Sequence, residues 1–292
     1  MTGHMEIALL VLLLVIIGAA LAWDSLAQRR YVARTAAAWT DAGQTVQGGP
    51  LGTISRGDLL ARQPGYRAFG ALAVLDGRLV FSGHRSHALD HATPLEAVRW
   101  IGLRTRVKTA WNRRIETPEL VIHSAEAGGW RVSAFIEGPV EVFAAQLGAL
   151  TGLPVLAVGE AYEDFGPAPA VYMVPEGEKG WRSGVAGQPD PRALPPAWME
   201  TARWLYLAPD RLLFDRAHAI PLARIRRVVV TERGVRPDEN PFDDNLLRVE
   251  YEDASGARHT AGFVVRNAGD WAGVLEARAS VPVLVRGATG DK

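Results

Sequence analysis

Two stretches of the chain share one order of apolar and polar positions. Within each, short apolar runs are separated by turn residues, which is typical of strands joined by tight hairpins. In the first stretch, residues 130–136 alternate in polarity as a half-buried strand does. Apolar residues at helical spacing then follow at Val140, Phe143, Leu147 and Leu150. The pattern predicts several short strands closed by one amphipathic helix in each stretch.

The second stretch also repeats short sequence blocks of the first at a nearly constant offset. The block RLVF at residues 78–81 returns as RLLF at residues 211–214, an offset of 133 (214 − 81). A Pro-Leu pair that begins at Pro94 returns at Pro221, an offset of 127 (221 − 94). The steady offset over separate blocks predicts a duplicated domain.

Two motifs within the repeat resemble a known family. The hairpin DGRLVF and its counterpart PDRLLF each precede a strand with the pattern PL-x-x-V/I, in TPLEAVRWI and IPLARIRRV. On these motifs, residues 66–155 and 198–283 resemble the GRAM and bacterial PH-like branch of the pleckstrin-homology superfamily. Trp271 matches a tryptophan of PH-like closing helices, whereas the first stretch has Phe143 there. The resemblance implies an α+β, mainly β fold of two small barrels or sandwiches, each closed by a C-terminal helix, and it carries over no lipid-binding residues.

The chain begins with an apolar segment that has the length of a short membrane span. Residues 7–23, IALLVLLLVIIGAALAW, contain no charged side chain and would form about 26 Å of helix. Arg29, Arg30 and Arg34 follow the segment, and no Lys or Arg precedes it. The positive-inside rule then predicts a single-pass transmembrane helix in the cell membrane, with the amino terminus outside and the remaining domains in the cytoplasm. A cleaved secretory signal and a buried core helix are the alternatives.

These patterns divide the chain into five parts. Between the two repeats lies a stretch rich in Pro and Gly, which is typical of a linker or a long loop. The predicted parts are a transmembrane anchor with a helical stalk (1–40), a first PH-like domain (41–160), the linker (161–197), a second PH-like domain (198–287) and a tail (288–292).

Composition narrows the functional classes. Lys and Arg together number 32, as do Asp and Glu, so the chain lacks the basic bias of nucleic-acid binders. The absence of cysteine excludes disulfides, thiolate nucleophiles and Cys-ligated zinc. No phosphate loop, G-x-G-x-x-G, H-E-x-x-H or nucleophile elbow is present. We therefore predict a protein that is not an enzyme, uses no cofactor and does not bind nucleic acid.

A basic stretch with interleaved tryptophans, RWIGLRTRVKTAWNRR at residues 99–114, is the first candidate site. Cations of this kind bind an anionic membrane leaflet or an acidic partner, and tryptophan favours the membrane interface. The alternative is the water-facing side of an edge strand. The candidate membrane-binding or partner-binding residues are Arg104, Arg106, Lys108, Trp111, Arg113 and Arg114.

A histidine-rich segment, SGHRSHALDH, is the second candidate. It fills a six-residue insertion relative to the second repeat (94 − 81 against 221 − 214). Three imidazoles and one carboxylate in eight residues could hold a divalent metal, at His84, His87, Asp90 and His91. The alternative is a solvated loop, and we predict no metal. A membrane-tethered, metal-dependent hydrolase built on these histidines is the rival hypothesis for function.

The leading expectation is a non-enzymatic binding or scaffold protein. Its two PH-like domains would bind a protein or peptide partner, an anionic lipid, or both, at the cytoplasmic surface of the membrane. An extended peptide could add to an exposed strand edge. A structural subunit of a larger membrane complex is a further alternative.

Overall fold

A computed structural model of the chain describes residues 23–60, 67–84, 87–110, 113–158, 168–176, 180–183, 203–232, 246–265 and 267–287. The chain forms two compact units. One comprises residues 1–57, 65–124 and 133–158, and the other comprises residues 58–64, 125–132 and 159–292.

The first sheet has eight strands and is accompanied by two helices. A helix α1 covers residues 23–41. The other elements are β1 (Val46–Asp58), β2 (Ala68–Leu75), β3 (Arg78–Gly83), β4 (His91–Pro94), β5 (Val98–Ala110), β6 (Arg113–Glu126), β7 (Gly129–Ile136), α2 (Val140–Thr151) and β8 (Val155–Val158). The strand order is β4-β3-β2-β1-β7-β6-β5-β8.

Local chemistry explains how this sheet is built. The β2–β3 hairpin turns at Asp76 and Gly77, whose φ angles of 47° and 74° match the twist of a two-residue hairpin loop. Strand β8 instead pairs parallel to β5, since α2 carries the chain back along the sheet before β8 begins. Gly152, in the left-handed conformation, ends α2.

The second sheet has nine strands. They are β9 (Ala168–Glu176), β10 (Gly180–Ser183), β11 (Arg203–Leu207), β12 (Arg211–Phe214), β13 (His218–Pro221), β14 (Ile225–Glu232), β15 (Leu246–Glu252), β16 (Arg258–Val265) and β17 (Val283–Gly287), with a helix α3 (Ala268–Ala279) before β17. The order is β13-β12-β11-β9-β16-β15-β14-β17, and β10 pairs with β9 off this path. Apart from β10, each strand has a counterpart at the same place in the first sheet.

The two helices that follow β7 and β16 bury one face each. Helix α2 buries Val140, Phe143, Ala144 and Leu147 in the core of the first sheet. Helix α3 buries Ala268, Trp271, Ala272 and Leu275 in the core of the second. Leu150, which was predicted on the apolar stripe of α2, is 40% exposed and lies outside this core.

The predicted fold class is nevertheless wrong. We expected two small PH-like barrels or sandwiches behind a transmembrane helix. The strands of each unit instead form one continuous mixed sheet of eight or nine strands, extended at one end by the parallel strand after the helix. The sequence pattern predicted several short strands but not this extension, because parallel pairing joins residues far apart in sequence.

The predicted membrane topology also needs correction. Among the described residues, no helix has both the length and the apolar character needed to cross a membrane. Helix α1 is polar along much of its surface and carries Arg29, Arg30 and Arg34. The prediction of a single-pass anchor, with the amino terminus outside and the domains in the cytoplasm, is contradicted by this finding. Residues 7–22 of the predicted span lie outside the described residues.

Candidate functional site

Arg104, the first residue of the predicted cationic surface, is buried. Its guanidinium donates through Nε to the Glu119 carboxylate, and Arg56 donates through Nη1 to the other oxygen of that carboxylate at 2.6 Å. Arg104 is 5% exposed and Glu119 is fully buried. Burial alone would raise the pKa of Glu119, but the two guanidiniums outweigh it and hold the pKa below its usual value. This ion triplet belongs to the interior, so Arg104 does not present its charge to a ligand.

The other residues of the basic stretch give no site in the described part of the chain. Arg106 and Lys108 belong to β5, and Arg113 and Arg114 belong to β6. Their side chains and the whole of Trp111 lie outside the described residues. Strand β5 lies between β6 and β8 in the sheet, but its pairing with β8 covers only residues 101–104, so Arg106 and Lys108 lie beyond that pairing.

The histidine-rich segment does not converge on a point. His87 Nδ1 lies 2.6 Å from Asp90 Oδ2 in an exposed pair, while Asp90 Oδ1 accepts the backbone N–H of Gly83 at 2.6 Å. His91 stacks on Phe81 and Phe135, with its ring centroid 6.1 Å from each. His84 faces Tyr31, with ring centroids 4.5 Å apart. No group of three or more His, Asp or Glu residues that could hold a metal is found among the described residues.

Helix α1 lies against the first sheet through a few specific contacts. The Tyr31 hydroxyl is 3.1 Å from the backbone carbonyl oxygen of Ser82 on β3 and donates to it. Val32 approaches Gly52 of β1 closely, since a Cβ at Gly52 would lie 3.2 Å from Val32 Cγ2 and 3.2 Å from the Phe69 ring. The absence of a side chain at Gly52 therefore permits this close approach.

A cationic groove runs along one side of α1, where the helix meets the segment after β3. Its volume is about 230 Å³. It is lined by Trp23, Leu26, Ala27, Arg30, Tyr31, Arg34 and His84. All but His84 come from α1, at spacings of three and four residues that place them on one helix face. We call this feature the Arg30–Arg34 groove.

The charges of the Arg30–Arg34 groove are not neutralised within the described structure. The Arg30 and Arg34 side chains are exposed and make no hydrogen bond or ion pair with any residue that the structure describes. His84, opposite them, contributes an imidazole whose ring contacts are with Tyr31 and Phe69. No carboxylate lines the groove. The arrangement can accept an anion.

A second groove, of about 540 Å³, lies on the other side of α1. It is lined by Ser25, Gln28, Arg29, Val32, Ala33, Gly52, Phe69, Glu137 and Gly138. Arg29 is separated from Arg30 by ~100° around the helix axis. Because Glu137 lines this groove together with Arg29, one cation here is balanced by one anion. The two grooves therefore differ in charge although they share a helix.

The sequence did not predict this groove. Arg29, Arg30 and Arg34 support only the predicted orientation of the anchor, and His84 is a metal ligand only in the alternative hypothesis. The spacing of Trp23, Arg30 and Arg34 at seven and four residues is a signal that the sequence does contain.

A repeated histidine was also missed. His218 stands 127 residues after His91 (218 − 91), the same offset as the two prolines, and each is the first residue of its short strand. His218 lies 4.7 Å from Tyr172 and 6.2 Å from Phe214 between ring centroids. Burial lowers the pKa of His218, and nearby Asp215 counteracts this only in part. Both units thus place an imidazole among aromatic rings.

Comparison with known proteins adds no family to these observations. No protein-family model matches the chain, and neither does any curated protein.

Proposed function

We propose that this protein is a non-enzymatic binding protein that holds an anionic ligand in the Arg30–Arg34 groove. The observation that carries the proposal is a groove with two guanidiniums and an imidazole but no carboxylate in its lining. Guanidiniums without a local counter-ion attract anions, and a hydrogen bond between two charged groups contributes ~1.5–3 kcal/mol.

Binding is favoured over catalysis by the chemistry of the lining. The groove contains one hydroxyl, that of Tyr31, and it is directed to the backbone of Ser82. Neither a carboxylate nor a serine or threonine hydroxyl lines the groove to act as base or nucleophile. A site with only cations and apolar walls supports recognition of charge.

The test is titration of the full chain with inorganic pyrophosphate, measured by calorimetry. Pyrophosphate is a suitable probe because it carries several negative charges, as many biological anions do. We expect measurable binding that weakens by about tenfold or more in the double variant Arg30→Gln/Arg34→Gln, since two charge-assisted contacts are lost. Arg29→Gln is the matched control, because it removes the same charge from the same helix on the other face. Equal weakening in Arg29→Gln, or no binding by the unmodified chain, would overturn the proposal.

Capture of an extended peptide is a second candidate function, favoured by the outer edge of the second sheet. Strand β17 is the last strand of the strand order and carries Leu284, a large apolar residue that is 44% exposed. A peptide added there would gain backbone hydrogen bonds and an apolar contact. Selection from a phage-displayed peptide library on the full chain tests this. Selected peptides that bind the Leu284→Lys variant equally well would exclude β17 as the docking strand.

A further inference from the structure

We infer that the ligand of the Arg30–Arg34 groove is a phosphate ester whose substituent is apolar. This inference rests on the proposed function, since it names the chemical class of the anion. Its support comes from the opposite end of the same groove, where the lining changes from cationic to apolar.

The apolar end is formed by two side chains that are unusually exposed for their type. Trp23 is 71% exposed and Leu26 is 49% exposed. Both line the groove together with Arg30 and Arg34, on the same face of α1. Along the helix the apolar pair comes first and the two cations follow one and two turns later. Exposed apolar surface of this kind, next to a charged rim, marks a place where a ligand buries it.

Phosphate fits the cationic end better than carboxylate does. Residues four apart on a helix have Cβ atoms roughly 5–6 Å apart, so Arg30 and Arg34 can approach one small group together. One guanidinium already satisfies both oxygens of a carboxylate in a bidentate pair. A phosphate ester has further oxygens, which can accept from the second guanidinium and from His84 on the opposite wall.

The order of side chains also sets the direction in which such a ligand lies. The phosphate contacts Arg30, Arg34 and His84, and its substituent points towards Trp23 and Leu26. The groove on the other side of α1 is unsuitable for this ligand, because Glu137 stands in its lining and would repel phosphate. The inference therefore assigns one groove and one orientation.

The first experiment compares two probes on the full chain by calorimetry: inorganic phosphate, and dihexanoyl phosphatidic acid kept below its micelle concentration. We expect the amphiphilic phosphate to bind about tenfold or more tightly than inorganic phosphate. In the Trp23→Ser/Leu26→Ser variant, this preference should disappear. Both substitutions are at exposed positions, and circular dichroism checks that the variant folds.

The outcomes separate the inference from the proposed function. If both probes bind with equal affinity, or if the preference survives in Trp23→Ser/Leu26→Ser, the inference is overturned and anion binding stands. If neither probe binds, the proposed function fails with it. Loss of both affinities in Arg30→Gln/Arg34→Gln, but not in Arg29→Gln, supports the assigned orientation.

A second experiment distinguishes the two sources of such a ligand, a lipid headgroup in a bilayer and a free amphiphilic phosphate. Vesicles of phosphatidylcholine with and without phosphatidic acid are floated with the full chain. Flotation with the acidic vesicles that requires Trp23, Leu26, Arg30 and Arg34 assigns the lipid headgroup. Binding of the monomeric probe without flotation assigns a free amphiphilic phosphate. Flotation that is equal for both vesicle compositions would contradict recognition of an anionic phosphate monoester, because phosphatidylcholine carries its phosphate as a zwitterionic diester.

Discussion

The ion triplet of Arg56, Glu119 and Arg104 depends on one buried carboxylate. Glu119 accepts a hydrogen bond from each of the two guanidiniums. Replacing Glu119 by Gln would remove the negative charge that both guanidiniums share. We expect the free energy of unfolding to fall by ~3–5 kcal/mol, which urea denaturation would measure.

The control for Glu119 removes all three charges together. The second sheet suggests which residues can replace two of them. There, Thr231 pairs with Leu246 at the register position where Arg104 pairs with Glu119 in the first sheet. The variant Arg56→Met/Arg104→Thr/Glu119→Leu should be close to the unmodified chain in stability, or above it, since no buried charge remains. If the triple variant were as unstable as Glu119→Gln, uncompensated charge would not be the cause.

The surroundings of His218 predict how the free energy of unfolding depends on pH. Burial among Tyr172 and Phe214 lowers its pKa, so the folded chain binds this proton less readily than the unfolded chain does. The contribution of His218 is fully present above a pH of about 6.5 and is lost as the pH falls through the folded-state pKa. The free energy of unfolding should therefore decrease between pH 7.5 and pH 5, by at most ~1.4 kcal/mol per pH unit for one proton.

One variant isolates that effect. His218→Gln should flatten the pH dependence, because glutamine does not titrate. An identical slope in the unmodified chain and in His218→Gln would assign the dependence to other groups.

At the scale of elements, Gly52 permits the close approach of helix α1 to the first sheet. A methyl group at Gly52 would lie 3.2 Å from the side chains of Val32, on α1, and Phe69, so these neighbours would have to shift by a few tenths of an ångström. Such overpacking costs ~1–3 kcal/mol. In Gly52→Ala we expect faster hydrogen exchange in α1 and weaker pyrophosphate binding, since Arg30 and Arg34 move relative to His84.

Gly128→Ala is the control for this prediction, because a Cβ at Gly128 would meet no atom within 4 Å. Hydrogen exchange in α1 should not change there. Unaltered exchange in Gly52→Ala as well would mean that the helix does not depend on this close approach.

Turns and helix faces could be predicted from the sequence more fully than contacts between residues that are far apart in the chain. The turn at Asp76 and Gly77 and the buried face of α2 around Phe143 follow from neighbouring residues, and both occur. Arg56, one of the two partners of Glu119, could not be predicted, because it is 63 positions away and lies on another strand. The same holds for the Arg30–Arg34 groove. The spacing of its helix residues can be recognised in the sequence, but the fold is needed to show that His84 lies beside them.

On the scale of the whole molecule, the two sheets share one strand order but differ in their charged side chains. Both sheets follow the same path, and each packs one helix on its core through Phe143 or Trp271. The buried ion triplet and the groove beside α1 belong to the first unit, while Leu246 stands at the register position of Glu119 in the second. The two units thus share apolar positions but differ at the charged ones, which favours a binding role that belongs to one unit.

The overall charge of the chain does not favour anion binding. With 32 basic and 32 acidic residues the formal charge is zero, so no overall field draws anions to the protein. Any affinity for pyrophosphate must come from a local arrangement of charges. Ligand that binds only the folded chain at one hundred times its Kd should raise the free energy of unfolding by ~2.7 kcal/mol. Denaturation with and without pyrophosphate would measure this gain. At the same pyrophosphate concentration it should fall to about 1.4 kcal/mol or less in Arg30→Gln/Arg34→Gln and stay unchanged in Arg29→Gln. A gain of equal size in all three chains would mean that the anion acts through general salt effects, and the Arg30–Arg34 groove would then have no special role in binding.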